Sequence, residues 1–240
     1  MGWREYLVAP ANLLDWREQI PAFEDIAGYR GSPSPVTIAS SAPPRVIQSA
    51  RVTGNFFSVL GARAELGRTL REPETWASDQ KVAVISQRLW REHFARDPRI
   101  IGRTVLVDDQ PVQVVGVMPA GFAFPWDDVD MWTPYAWNRE DRSREWFRAT
   151  HMLRAVASLR PGVNLETTRR QLEDLAHRIS RENPKAGPEL TAGLTPLVAF
   201  RAREIRSSLL VLLTAVNVLL LIGCANVANL LLIQAIRRRT

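Results

Sequence analysis

The sequence is poor in cysteine, lysine and histidine, with one, two and three copies among 240 residues. A single cysteine, Cys224, excludes an intrachain disulfide. Almost all of the basic residues are arginines, and they lie among carboxylates along the chain, so the net charge of +6 forms no basic stripe. The one dense run, Arg237–Arg239, adjoins an apolar segment and is typical of a membrane flank. We therefore expect no nucleic-acid partner.

Few side chains are available for metal binding or catalysis. Glu173 and His177 lie one helical turn apart, but no second histidine or cysteine is near in sequence, so a solvated helix face is the preferred interpretation. The acidic group Asp127, Asp128 and Asp130 lacks the spacing and the distal glutamate of a calcium loop. We predict no metal site and no cofactor.

Catalytic motifs are missing as well. Gly54–Phe57 has the form of an anion-binding helix start but has no basic residue placed beside it. There is no Gly-x-x-x-x-Gly-Lys-Ser/Thr phosphate loop, and no nucleophile is spaced with a base. The sequence therefore predicts no catalytic residue, and we expect that the chain is not an enzyme.

The longest uncharged segment runs from Leu209 to Ile236. As a helix it would extend ~40 Å, more than the ~30 Å hydrocarbon core of a bilayer, which predicts a transmembrane helix. Asn226 and Asn229 share one face and are expected to contact neighbouring transmembrane helices, the alternative being a position near the lipid headgroups. Arginines flank both ends in equal number, so the residues alone leave the orientation open.

Residues before about 200 alternate between helical and strand patterns, which predicts an α+β domain with a mixed sheet and helices on one face. Its core is predicted to include Phe56, Phe57, Val82, Val84, Leu89, Val114 and Val117. The predicted helices are Asn12–Tyr29, kinked at Pro21, Gly54–Gly61, Gln87–Ala95 with Ser86 as N-cap, and a helix from Asn164 to Glu182. The predicted strands are Val36–Ala39, Arg45–Thr53, Lys81–Ile85, Thr104–Val107, Val112–Met118, Met131–Tyr135 and His151–Leu159, with Leu190–Phe200 as a last strand or extended connection.

Several of these stretches, taken together, resemble a known family. The segments Val52–Gly61, Leu66–Leu70, Val82–Trp90 and Val114–Phe122 look like the MacB-like periplasmic core domain, in the right order. Leu221–Leu232 is similar to the first helix of an FtsX-like permease module. Among members of this family, the sequence is most similar to the duplicated permeases that are encoded without an adjacent ATPase.

The resemblance implies an ABC-type permease of the bacterial inner membrane. Residues 1–200 would be the extracytoplasmic core domain, and residues 201–240 a stalk and the transmembrane helix, with a cytoplasmic C-terminus. The chain would then be a piece of a longer permease, without its first helix, its last helices and any nucleotide-binding domain.

The resemblance also implies partners and a mechanism. The partners would be the membrane, other transmembrane helices of the same permease, a second copy in a dimer or pseudo-dimer, and a separate ATPase subunit. The domain would couple transmembrane-helix motion to export or to mechanotransmission. The alternative is a non-transporting envelope regulator that binds and activates a partner such as a cell-wall hydrolase.

Overall fold

The computed structural model describes residues 7–39, 43–76, 81–183, 192–199 and 213–223. Between residues 7 and 183 its α-helices are α1 (Pro10–Gln19), α2 (Phe56–Val59), α3 (Gln87–His93), α4 (Glu145–Ala149) and α5 (Leu165–Glu182). The strands are β1 (Phe23–Arg30), β2 (Ser34–Ala39), β3 (Arg45–Val52), β4 (Leu66–Gly67), β5 (Val82–Ile85), β6 (Thr104–Val107), β7 (Gln110–Val117), β8 (Val129–Pro134) and β9 (Leu153–Leu159). Short 3₁₀ helices cover Glu72–Thr75, Pro98–Ile100 and Arg139–Ser143.

The strands form one mixed sheet, and part of that sheet closes on itself. Its order is β2-β6-β7-β5-β8-β3-β1-β9, and β2 pairs with β3 as well as with β6. Six strands therefore make a closed ring. Strands β5 and β7 are parallel, as are β3 and β8. Strand β1 branches from the end of β3 through the pair Tyr29–Val52, and β9 continues antiparallel to β1.

The interior of the ring is filled by a hydrophobic core. Each of the six strands contributes to it, because alternate residues of a strand point to the same side. Helix α3 and the following 3₁₀ helix add Leu89, Phe94 and Ile100. The ring residues of this core are Ile38, Ile47, Ala83, Ile85, Val105, Val112, Val114, Val117 and Met131.

Another hydrophobic core lies on the outer side of the ring, under α2. Phe56 and Phe57 of α2 are fully buried there against Trp132 and Tyr29. Val84 belongs to this core, whereas its neighbour Ile85 belongs to the ring interior, and both side chains are fully buried. Helices therefore pack on both sides of the sheet, and the predicted one-sided arrangement is wrong. A short apolar run such as Val82–Ile85 does not distinguish a strand covered on one side from a strand covered on both.

Most of the predicted elements between residues 34 and 182 are confirmed within a few residues at their ends. Ser86 caps α3, since its hydroxyl accepts a hydrogen bond from Leu89 N at 3.0 Å. Asn164 caps α5 by accepting from the amides of Glu166 and Thr167. The seven predicted core residues, from Phe56 to Val117, are all buried.

The predicted helix Asn12–Tyr29 is wrong over its second half. Helix α1 ends at Gln19, a turn follows at Pro21, and Phe23–Arg30 is the strand β1. Residues 26–29 are all buried, because β1 lies between β3 and β9 and is covered on both faces. Such a strand shows no two-residue alternation, so its apolar residues fit a helical period by coincidence.

The chain divides into two compact units, Met1–Gly193 and Leu194–Thr240. In the second unit, residues 197–199 and 213–223 are helical. Residues 192–196 have no regular structure, so of the two alternatives predicted for 190–200, a strand or an extended connection, the strand is wrong over the described part. None of the described helices has the length and hydropathy that a membrane crossing requires. Cys224, Asn226, Asn229 and the stalk at 201–208 lie outside the described residues.

Candidate functional site

The candidate site is a polar junction around Asn55, where β1, α1 and the loop from β3 to α2 meet. The Asn55 side chain is buried and donates from Nδ2 to Asp25 Oδ2 at 2.8 Å and to Ile26 O at 3.0 Å. Its Oδ1 accepts from Thr53 Oγ1 at 2.7 Å. Thr53 Oγ1 in turn accepts from Gly28 N at 3.0 Å. A short Thr-Gly-Asn motif therefore fixes the position of β1 relative to β3.

Gly54 is required at this junction by close backbone packing. A β-carbon on Gly54 would overlap the carbonyl group of Arg71, at the start of the 3₁₀ helix Glu72–Thr75. Gly54 N donates to Thr75 Oγ1 at 2.7 Å. The Gly54 amide, at the start of the segment Gly54–Phe57, thus holds the 3₁₀ helix and is not directed at a ligand.

Arg17 of α1 connects the junction to the helix. Its Nε lies 2.8 Å from Asp25 Oδ1, and its Nη1 lies 3.1 Å from Glu72 Oε1. Asp25 Oδ1 thus binds Arg17 Nε, and Asp25 Oδ2 accepts from Asn55 Nδ2 and, at 3.5 Å, from Arg17 Nη2. Because these ion pairs are partly exposed, each is worth at most ~1 kcal/mol, and their main effect is to fix orientation.

The other side of α1 is held by α4 and α5. Arg148 Nη1 lies 2.8 Å from Asp15 Oδ2 and also donates to Asn12 Oδ1. Arg178 of α5 donates to Gln19 Oε1 at 2.6 Å. We call the two ion-paired sets, Arg17 with Asp25 and Glu72 and Asp15 with Arg148, the α1 clamp.

Apolar contacts reinforce the α1 clamp. Leu13 of α1 packs on Gly28 of β1 so closely that a β-carbon at Gly28 would lie 2.8 Å from Leu13 Cδ2. Just before α1, Val8 forms an antiparallel bridge with Leu153 at the start of β9. Beside α1, Trp137 packs against Trp76 and Phe147 at ring distances of 5.7 and 5.2 Å. Helix α1 is thus attached to the sheet and to α4 and α5.

The junction has little room for a ligand. A crevice of about 10 Å³ lies between α1 and the junction, lined by Leu13, Asn55, Thr75 and Trp137 among others. That volume holds roughly one water molecule. No nucleophile lies beside a base among the lining residues. The contacts around this crevice hold α1 against the junction.

The residues considered for metal binding do not form a ligand set in the described part of the chain. Among the residues that the structure describes, no three His, Cys, Asp or Glu side chains gather into a set that could hold a metal. Asp130 is buried, and its Oδ1 accepts from Ser86 Oγ at 2.7 Å and from Arg88 Nε at 2.9 Å. The hydrogen bond to Asp130 also raises the pKa of Arg88. His93 packs edge-on against Phe94, and burial lowers the pKa of its imidazole.

Tyr135 shows the largest pKa shift in the described part of the chain. Burial raises the pKa of its phenol far above the usual value, although Arg30 and Arg51 act in the opposite direction. Its hydroxyl is buried and has no hydrogen-bond partner within the described residues. The ring stacks on Trp137 at 4.6 Å, so Tyr135 extends the aromatic packing beside α1.

Comparison with protein families gives a single family for most of the chain. The model of the MacB-like periplasmic core domain matches residues 2–175. The chain belongs to this family. It is therefore a MacB-like periplasmic core domain of an ABC-type permease, an extracytoplasmic domain of a membrane protein. Domains of such permeases generally carry no enzymatic activity. No curated protein matches the chain.

Solved structures show the same fold at low sequence identity. The periplasmic region of MacB from Actinobacillus actinomycetemcomitans superposes with a TM-score of 0.58 at 14% identity, covering 84% of this chain and 85% of that one. The extracellular domain of the noncanonic ABC-type transporter YknZ from Gram-positive bacteria gives 0.56 at 14% identity, covering 79% and 90%. A domain of a putative permease from Porphyromonas gingivalis gives 0.55 at 17%, covering 83% and 87%.

Sequence reasoning found the Thr53–Phe57 motif of this MacB-like domain but missed the α1 clamp. Asp15 and Arg148 are 133 positions apart, and Arg17 and Glu72 are 55 apart. Nothing in local spacing pairs them in a chain with 31 basic and 25 acidic residues. The one available signal was Pro21, which lies just beyond the end of α1 at Gln19 and indicates where the helix stops.

Proposed function

We propose that this chain is the extracytoplasmic and membrane-anchoring part of an ABC-transporter-type permease of the bacterial inner membrane. It couples transmembrane-helix motion to export or to mechanotransmission on the outer side. Residues 1–200 are the outer domain, and residues 201–240 are the stalk and a transmembrane helix with a cytoplasmic C-terminus. The uncharged run Leu209–Ile236 supports the anchor. The match of residues 2–175 to a periplasmic core domain supports a cytoplasmic C-terminus, because the anchor would cross the membrane once after that domain.

The observation that carries the coupling is the α1 clamp. To transmit motion, the segment of the chain that receives it must be held rigidly against the rest of the domain. Helix α1 is bound through Arg17 to β1 and the 3₁₀ helix, through Asp15 to α4, and through Gln19 to α5. Contacts on several sides fix both the position and the rotation of α1, so a force applied at α1 reaches the sheet.

The permease acts with partners. Other transmembrane helices of the same permease pack on the segment around Asn226 and Asn229. In this proposal the full protein is a dimer or pseudo-dimer, and a separate ATPase subunit supplies the energy.

A charge exchange in the full permease tests the coupling. Asp15→Arg places two arginines together, and Arg148→Asp places two aspartates together, so each single change opens the α1 clamp. The double exchange restores the ion pair, with the acidic and the basic residue interchanged. We expect each single variant to lower complementation of a permease-deleted strain several-fold, and the double variant to recover it.

A matched exchange elsewhere serves as the control. Arg45 of β3 and Glu92 of α3 form an ion pair of 3.2 Å that does not involve α1. Arg45→Glu and Glu92→Arg should leave complementation within about twofold of wild type, since exposed pairs contribute little to stability. Wild-type complementation by both single clamp variants, at equal membrane levels, would show that α1 is not the relay.

A further inference from the structure

The outer surface of the ring carries an exposed patch without charge. The neutral wall, as we call it, consists of the outward-facing residues Thr37 and Ala39 of β2, Val46 of β3, Leu106 of β6, and Pro111 and Gln113 of β7. They adjoin one another by strand register: Thr37 pairs with Val46, Ala39 with Leu106, and Leu106 with Pro111. Their sequence neighbours Ile38, Ile47, Val105 and Val112 point into the ring and are buried.

The neutral wall differs from the rest of the surface. Val46 is 65% exposed and Leu106 is 44% exposed, the largest exposures of large hydrophobic side chains among the described residues between 7 and 183. None of the six residues is charged, although charged residues make up 23% of the chain and most lie on its surface. Loss of charge at the centre, with exposed aliphatic side chains, is the composition that marks the core of a protein interface.

We infer that the neutral wall is the surface through which the core domains of two copies of this chain meet. A charged partner surface would lose hydration here without gaining an ion pair, so the wall favours an equally uncharged surface. A second copy supplies one. Five of the six net positive charges lie in residues 201–240, so two core domains carry almost no net charge and approach each other without strong repulsion.

The edges of the wall are complementary to themselves under two-fold symmetry. Asp108 and Asp109 form the turn between β6 and β7, and Asp108 Oδ1 accepts from Thr37 N at 2.7 Å, which fixes the turn beside β2. Arg103 lies at the opposite end of this hairpin. When two hairpins face each other in antiparallel directions, the acidic turn of one copy comes near Arg103 of the other. A two-fold contact therefore pairs opposite charges at both edges.

The wall is too small to hold two free domains together. A stable interface uses roughly 20–30 residues on each side, several times more than the wall provides. Free domains should therefore associate weakly, and the contact should form where two copies are held in one membrane. In this respect the inference rests on the proposed permease.

Cysteine crosslinking in membranes containing the full permease tests the contact. In a Cys224→Ser background, Val46→Cys and Leu106→Cys place single thiols on the wall. Gln171→Cys, on the exposed side of α5, is the matched control. With a short bismaleimide, we expect a dimer yield at least tenfold higher from either wall position than from residue 171. Adding Thr37→Lys to Leu106→Cys should reduce that yield at least fivefold, because it places two lysines in the contact.

Each other outcome argues against the inference. Equal yields from the wall and from residue 171, or a yield insensitive to Thr37→Lys, would show random collision. A crosslinked product of another mass would show that a different protein occupies the wall. If the variants reach the membrane and complement normally but do not crosslink, the contact between copies is refuted while the proposed function stands. Absence of the wild-type chain from the membrane fraction would refute both.

Discussion

Replacing Asn55 with alanine should destabilise the core domain far more than a typical polar substitution. Asn55 makes three side-chain hydrogen bonds, to Asp25, Ile26 O and Thr53, at 2.7–3.0 Å. Asn55→Ala removes all three and leaves the Ile26 carbonyl and the Thr53 hydroxyl with unmet partners in a buried place. A hydrogen bond contributes about 1 kcal/mol net, and an unsatisfied buried group costs ~1–3 kcal/mol. The expected loss is therefore about 3 kcal/mol of the free energy of unfolding.

Urea denaturation followed by tryptophan fluorescence measures this loss, since the chain contains eight tryptophans. For a domain of this size, a loss of about 3 kcal/mol corresponds to a melting temperature lower by about 10 °C. Gln113→Ala is the matched control, because it also removes a side-chain amide with one hydrogen bond, to Gly102 O, but at an exposed position. The control should change stability by less than about 0.5 kcal/mol.

The reasoning would be refuted if Asn55→Ala stayed within about 0.5 kcal/mol of wild type, the range of an ordinary surface change. That result would mean that water replaces the Asn55 amide at no cost, and that the junction does not fix β1 against β3.

Two further predictions concern the same part of the molecule. Gly54→Ala should lower the free energy of unfolding by about 3 kcal/mol or more because the new β-carbon meets the Arg71 carbonyl. Gly61→Ala, at a positive φ of 64° but with open space around it, should cost only about 1 kcal/mol; equal losses in thermal melts would contradict the packing argument. Burial raises the pKa of Tyr135, so above about pH 10 the unfolded state releases the phenol proton first and stability falls as pH rises. Tyr135→Phe should flatten that fall in urea titrations between about pH 9 and about pH 11, and an unchanged slope would place the effect elsewhere.

Local signals in the sequence predicted those elements whose boundaries are set by their own residues. Ser86 and Asn164 cap helices by hydrogen bonds to backbone amides within three residues. The family motif Val52–Gly61 was likewise recognisable, because its glycine and asparagine are needed for one specific packing. These features depend on chemistry within a few positions of the chain.

The features that escaped prediction depend on contacts distant in sequence. The ring closes because β2 pairs with both β3 and β6. The residues of β2 show no local pattern that indicates pairing with two strands. Strand β1 was assigned to a helix because burial on both faces removed its alternation. In the candidate site, Asn55 belonged to a recognised motif, whereas Asp15 and Arg148 became a pair only through the packing of α1 on α4.

Residue accessibility in cells tests most directly whether this chain is the outer domain of a membrane permease. Single cysteines at Gln171→Cys, on the exposed side of α5, and Arg238→Cys, each with Cys224→Ser, are treated separately with a membrane-impermeant maleimide in spheroplasts of the full permease. The account predicts that residue 171 is labelled at once and that residue 238 is labelled only after the membrane is permeabilised. Labelling of residue 238 in intact spheroplasts, with residue 171 protected, would contradict it.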